Sequence, residues 1–170
     1  MTGFAGFPAG KQAYTPVPHL FFSELLPDID HLGELKVTLH VFWLLTQKTG
    51  EHRYVSSEEL AADRRLLAGV AQPGLPAEDV LRDALERAVA RRTLLQVTTG
   101  DGAKRRDWYF VNSERGRPAV DDLLAGAQAL GATALVHYSC QLSFLDRNCW
   151  NSSLRRFDVV LGCDPGAHAQ

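Results

Sequence analysis

A mainly α-helical domain with a small β-hairpin, an α+β fold arranged as a winged helix-turn-helix, is what this sequence predicts. Three observations carry the prediction. Apolar residues recur at helical spacing in three successive segments within residues 32–92. The second and third of these are separated by the break "GVAQPGLP", with Gly69, Pro73, Gly74 and Pro76. Directly after the third come two β-forming runs, "TLLQV" and "DWYFV", joined through a Gly-Asp-Gly turn. Helix, short strand, helix, turn, helix and hairpin is the element order of that arrangement.

Each element has its own local cause. Residues 1–13 hold Gly3, Gly6, Pro8 and Gly10 and are expected to form a flexible arm. In "AYTPVP", Pro16 and Pro18 push their preceding residues out of the α region, so an extended stretch follows. "HLFFSELLP" reads as a short helix ending near Pro27, with Phe21, Phe22, Leu25 and Leu26 as the face to bury. From Leu32 to Gln47, Leu35, Leu39, Phe42 and Leu45 form one helical stripe, and Val37, Val41 and Leu44 widen it almost all the way round. That helix is expected at the centre of the core.

"RYV" is a candidate for a very short strand. Ser56 or Ser57 is suited to cap the next helix, with Glu58 and Glu59 at its positive end, and the helix is expected to run to about Leu67. The third helix, in "PAEDVLRDALERAVARR", places Leu81, Ala84, Leu85, Ala88 and Val89 at i, i+3, i+4, i+7 and i+8. After the hairpin, a closing helix is predicted over Pro118 to Ala129, because proline is welcome at the first helical position. The domain therefore spans 14–129, including its N-terminal extended and helical extension. Residues 130–170 differ in composition, with Ser, Cys and Asn replacing Ala, Leu, Glu and Arg. They are expected to be a poorly ordered tail, a divergent small domain or the product of a reading-frame change.

With 170 residues, 45% hydrophobic and 22% charged, the chain has the material for one core and no second domain of ordinary size. No apolar run approaches a membrane span, and the N-terminus lacks the pattern of a secretory signal, so a cytoplasmic protein is expected. Cys140, Cys149 and Cys163 are an odd set without framework spacing and read as free thiols. With His137 they make a zinc reading only at gaps far from close C-x-x-C pairs.

Charge is unevenly placed. Residues 1–63 hold four Lys/Arg against eight Asp/Glu, a balance of −4. Residues 89–117 hold seven Lys/Arg against three Asp/Glu, a balance of +4. Arg91 and Arg92 at the end of the third helix, with Lys104, Arg105 and Arg106 at the hairpin tip, are therefore the first candidates for DNA contact. The competing reading of such a tip is a solubilising surface. Arg82 and Arg87 on the third helix are weaker candidates, because Glu78 and Asp83 stand four residues before them and suit i, i+4 pairing. Phe42, Trp43, Trp108, Tyr109 and Phe110 are aromatic enough for base stacking but suit core packing better. Catalytic motifs are lacking: no G-x-S-x-G, no H-E-x-x-H and no phosphate-binding loop, while Asp28 and Asp30 suit a turn and a helix cap. The chain is expected not to be an enzyme and to need no cofactor, metal or small-molecule substrate.

The segments "YTPVPHLFFSELLPDIDHLGELKVTLHVFWLL", "YVSSEELAAD" and "PAEDVLRDALERAVARRTLLQV" together resemble the amino-terminal domain of the DnaD family of bacterial primosome proteins, which help load the replicative helicase. The resemblance covers roughly residues 14–112. It implies a winged helix preceded by an extension that contributes to dimer or tetramer formation. It also implies replication proteins and DNA as partners. That family usually continues into a helical DNA-binding domain ending in Y-x-x-x-I-x-x-x-W. Here Tyr138 is followed by Leu142, and Asp146 stands at the tryptophan position, so that domain's roles do not carry over. The expectation is a self-associating, replication-associated scaffold touching DNA weakly through the hairpin. The alternative is a transcription regulator that reads a specific site with the third helix.

Overall fold

His31 is extended at φ −111°, and its imidazole accepts a hydrogen bond from the Glu34 N–H, which starts the long central helix α2 (Leu32–Gln47). The computed structural model describes residues 3–49, 53–100, 102–129 and 134–137. Before α2, irregular backbone leads into a π-helical turn at Phe21–Leu25 and the short helix α1 (Leu26–Asp28). A two-residue strand β1 (Val55–Ser56) runs straight into helix α3 (Ser57–Ala62). Ser56 and Glu59 form a reciprocal capping box there, each side chain bonding the other's backbone N–H.

The helix expected from Ser56 to about Leu67 is instead two helices. Asp63 is extended at ψ 100° and caps α4 (Arg64–Val70), its carboxylate accepting from the N–H groups of Arg65 and Leu66. His40 on α2 holds the same carboxylate at 2.8 Å. Burial raises the Asp63 pKa, but the hydrogen bonds from His40 and the two backbone amides outweigh it and leave the group below the usual carboxylate value. A residue that caps and is capped in place ends one helix and begins another.

Helix α5 (Ala77–Ala90) buries Val80, Leu81, Ala84, Leu85, Ala88 and Val89, the stripe its spacing predicts. It ends in a Schellman arrangement: the Arg92 N–H bonds Val89 O and the Thr93 N–H bonds Ala88 O. Arg92 occupies the left-handed position, at φ 64°, where glycine is usual. Strands β2 (Leu94–Thr99) and β3 (Arg106–Val111) then pair antiparallel from Leu94↔Val111 to Thr99↔Arg106. Helix α6 (Gly116–Ala129) follows two residues earlier than Pro118 suggested. Its first residue can only be glycine, since a Cβ there would meet the Val111 carbonyl oxygen at 1.9 Å.

The sheet order is β1-β3-β2-β4, all antiparallel, where β4 (Ala134–His137) pairs with β2 from Gln96↔His137 to Thr99↔Ala134. This strand, inside the stretch expected to be a tail, was not anticipated; the remainder of 130–170 lies outside the described residues. Mostly helical with this small antiparallel sheet, the chain is an α+β protein.

Strand alternation divides the core into two clusters. One sheet face, with Val55, Leu94 and Tyr109, meets Val37 and Val41 of α2, Leu60, Leu66 and Val70 of α3 and α4, and the α5 stripe. The opposite face, with Leu95, Val97 and Phe110, packs on Ala119 and Val120 of α6. The buried stripe of α2 is Glu34, Val37, Thr38 and Val41, at i, i+3, i+4 and i+7, not the expected Leu35, Leu39, Phe42 and Leu45. Leu39 is exposed, and Phe42 and Trp43 are half-buried. Of the four apolar residues expected to bury in the short first helix, only Phe21 is fully buried, Leu25 and Leu26 are partly so, and Phe22 is 54% exposed.

Candidate nucleic-acid interface

The hairpin tip is built by a glycine and a tight turn. After Thr99, Gly100 adopts φ +75°, and a Cβ at that position would meet the Lys104 carbonyl oxygen at 2.5 Å. The chain then closes through a 3-10 turn over Gly102–Lys104 and re-enters the sheet at Arg106. Lys104, Arg105 and Arg106 are all exposed there. Two of these cations have an acidic neighbour: Arg105 lies 3.7 Å from Asp107 and Arg106 lies 3.6 Å from Glu58. Both are long pairs made by solvent-exposed arginines, the kind that contributes little and yields readily to a competing anion.

The outward arginines of α5 are held more closely. Arg87 Nε donates to Asp83 at 2.8 Å, the i, i+4 pair its spacing predicts. That bond, with the charge of Arg87, holds the Asp83 carboxyl below its usual value against a small opposing effect of burial. Arg82 pairs at 2.7 Å with Asp79, three residues back, and not with Glu78 four residues back. The acids of α5 thus lie beside its arginines on the exposed surface.

Arg91 has a different environment from the one expected of a phosphate ligand. Its Nε donates to Glu34 Oε1 at 2.7 Å and its Nη2 to Glu34 Oε2 at 3.3 Å, a fork on a carboxylate that is completely buried. Asp30 accepts from the same guanidinium at 3.2 Å. The hydrogen bond to Glu34 and the surrounding carboxylates raise the Arg91 pKa against the effect of burial. This pair joins α2 to the end of α5 and was missed from the sequence, where a lone Glu on an apolar helix gives no sign of a partner 57 residues away.

Nor do the candidate cations form one surface. Arg91 and Arg92 precede β2 whereas Lys104 to Arg106 follow it, so the six residues of β2 hold the two groups roughly 20 Å apart. Arg117 joins the Arg92 end, where Asn112 accepts from its guanidinium and donates to the Arg92 carbonyl. The balance of +4 read over residues 89–117 is therefore divided between the two ends of a hairpin.

The aromatic candidates separate likewise. Tyr109 and Phe110 are buried, on opposite sheet faces. Trp108 is half-buried, donates its indole N–H to Thr99 at 2.9 Å and makes a T-shaped contact with Tyr54, so it is engaged in packing. Open aromatic surface lies instead at the N-terminus, in Phe4, Phe7, Tyr14 and Phe22. Among the described residues no group of His, Cys, Asp or Glu is placed to hold a metal. Cys140, Cys149 and Cys163 lie outside the described residues, as do the side chains of His137 and Asp101. No helix among the described residues is long and apolar enough to cross a membrane. No protein-family model, curated protein sequence or solved structure matches the chain.

Proposed function

We propose that this chain is a DnaD-like, replication-associated scaffold: a winged helix that self-associates, recruits partner proteins, and touches DNA weakly and without sequence preference through its hairpin. The carrying observation is the contrast between its two cationic elements. On α5, the helix that would enter the major groove, Arg82 and Arg87 are bound to Asp79 and Asp83, and bringing those carboxylates to a groove lined with phosphate is repulsive. At the hairpin tip three consecutive cations stand exposed with only loose acidic neighbours. Cations of that kind supply affinity through counterion release and carry no base information. Arg91 leaves the interface, since its guanidinium is committed to Glu34.

Self-association is supported by where the apolar surface lies. Phe4, Phe7, Tyr14, Leu20, Phe22 and Leu32 are all exposed, and all belong to the arm, the extension or the first residue of α2. Aromatic surface gathered in one region of a chain is typical of an interface. Sedimentation velocity over rising concentration should show a mass above that of the monomer by tens of micromolar, and a strict monomer throughout would remove the scaffold reading. Selection from random duplexes should enrich no motif. An enriched motif that disappears on changing Arg82 and Arg87 would instead make α5 a reader and the protein a sequence-specific regulator.

A further inference from the structure

Helices α2 and α4 enclose a groove of about 440 Å3, lined by Lys36, Leu39, His40, Trp43, Arg65, Leu66 and Gly69. Its floor is apolar and its lining holds no carboxylate. Two cations stand on its rim. Lys36 donates from its ammonium to the Gly69 carbonyl, and the Arg65 guanidinium lies 5.9 Å from the centre of the Trp43 ring. Leu39, 37% exposed, leaves part of an apolar side chain uncovered there.

Gly69 is the second observation. A glycine inside a helix costs roughly 1 kcal/mol relative to alanine. Packing within this chain does not require one, because a Cβ at residue 69 would meet nothing within 4 Å. It does not serve as a left-handed helix cap either, since its φ is not positive and α4 continues to Val70. What the missing side chain does provide is open space at a residue that lines the groove together with Leu39, Trp43 and Leu66.

We propose that this groove is the docking site for an acidic amphipathic helical segment of a partner protein. One apolar side chain of that segment enters over Gly69 against Leu39, Trp43 and Leu66. Its flanking carboxylates meet Lys36 and Arg65. An apolar floor selects the hydrophobic stripe, and Lys36 and Arg65 on the rim select the sign of the charge, the neighbouring Asp63 carboxylate being already held by His40. The inference names a surface for the partner recruitment in the scaffold reading, but it does not depend on DNA binding, since none of the lining residues belongs to the hairpin.

The test is selection from a display library of random peptides about 16 residues long, four turns of helix, on the full chain. Enriched peptides should carry Leu, Ile or Phe at helical spacing among Asp and Glu. Their affinity, read by fluorescence anisotropy, should fall at least about tenfold, the equivalent of 1.4 kcal/mol, on Gly69→Leu, which adds a side chain where a Cβ meets no atom within 4 Å. It should fall similarly on the double substitution Lys36→Glu with Arg65→Glu. Unchanged circular dichroism and unchanged duplex binding by these variants would place the loss at the groove and leave the DNA reading intact. Failure to enrich any acidic peptide, or equal affinity for wild type and Gly69→Leu, would overturn the proposal. Loss of duplex binding in wild type with peptide capture intact would instead strike only the DNA contact.

Discussion

Replacing Arg91 with Met should destabilise the domain by about 3–5 kcal/mol, the range for removing one partner of a buried ion pair. The size of the effect comes from Glu34, not from Arg91. The arginine side chain retains 27% of its surface in solvent, but the Glu34 side chain has none. Without the guanidinium fork, that buried carboxylate loses the one cation shown bonded to it and keeps only the longer-range attraction of Arg87. Removing both charges, as Glu34→Leu with Arg91→Met, should restore most of the loss, because well-packed apolar residues commonly replace such pairs at little cost. Urea denaturation of the two single variants and the double variant gives the coupling directly. A loss under about 1 kcal/mol for Arg91→Met, a value normal for a surface pair, would return Arg91 to the candidate DNA ligands.

Phe110→Ala is the second large effect, at about 3–5 kcal/mol for truncating a buried phenylalanine. Phe110 is 0% exposed and lies between the sheet and α6, among Leu95, Val97, Ala119 and Val120, with the Tyr54 ring at 5.5 Å. A cavity there removes apolar packing from both layers at once, so the loss should appear as one cooperative shift of the thermal midpoint. Trp43→Ala should cost clearly less. The sequence points to Trp43 and Phe42 as core because they lie on an apolar helix, yet both are half-buried, and Trp43 lines a groove open to solvent. Melts in which Trp43→Ala loses more than Phe110→Ala would contradict this division of the core.

The readable parts of the fold were those written in local pattern. The α5 stripe from Leu81 to Val89 alternates without a polar intruder, and the hairpin has both β-forming runs and glycines at its turn. The capping box at Ser56 and Glu59 is likewise a spacing of three residues. Obscured features depended on tertiary compensation. Glu34 and Thr38 lie in the buried stripe of α2, so counting apolar residues selects the wrong face, and the fork from Arg91 offsets the burial of the carboxylate. Asp63 looks like one more polar residue within a helix, until the bond from His40 and its capping of Arg65 and Leu66 reveal a break. Strand β4 depends on an open edge of β2, a partner nearly 40 residues earlier in the chain. At the candidate site, the sequence identified the cations of the hairpin tip correctly as exposed. Their separation from Arg91 and Arg92 by the length of β2 was not legible in the charge count.

On the proposed reading the hairpin, not α5, meets DNA. Its direct test is the salt dependence of duplex binding for three proteins: wild type, the variant with Lys104, Arg105 and Arg106 changed to Gln, and the variant with Arg82 and Arg87 changed to Gln. Every B-form DNA phosphate that a variant no longer neutralises lowers the slope of log K against log salt by about 0.9. The hairpin variant should therefore bind all duplexes more weakly with a slope shallower by up to about 2.7, the value for three phosphates, while the α5 variant stays close to wild type. Large sequence-dependent losses from the α5 variant, with the hairpin variant unaffected, would contradict the account.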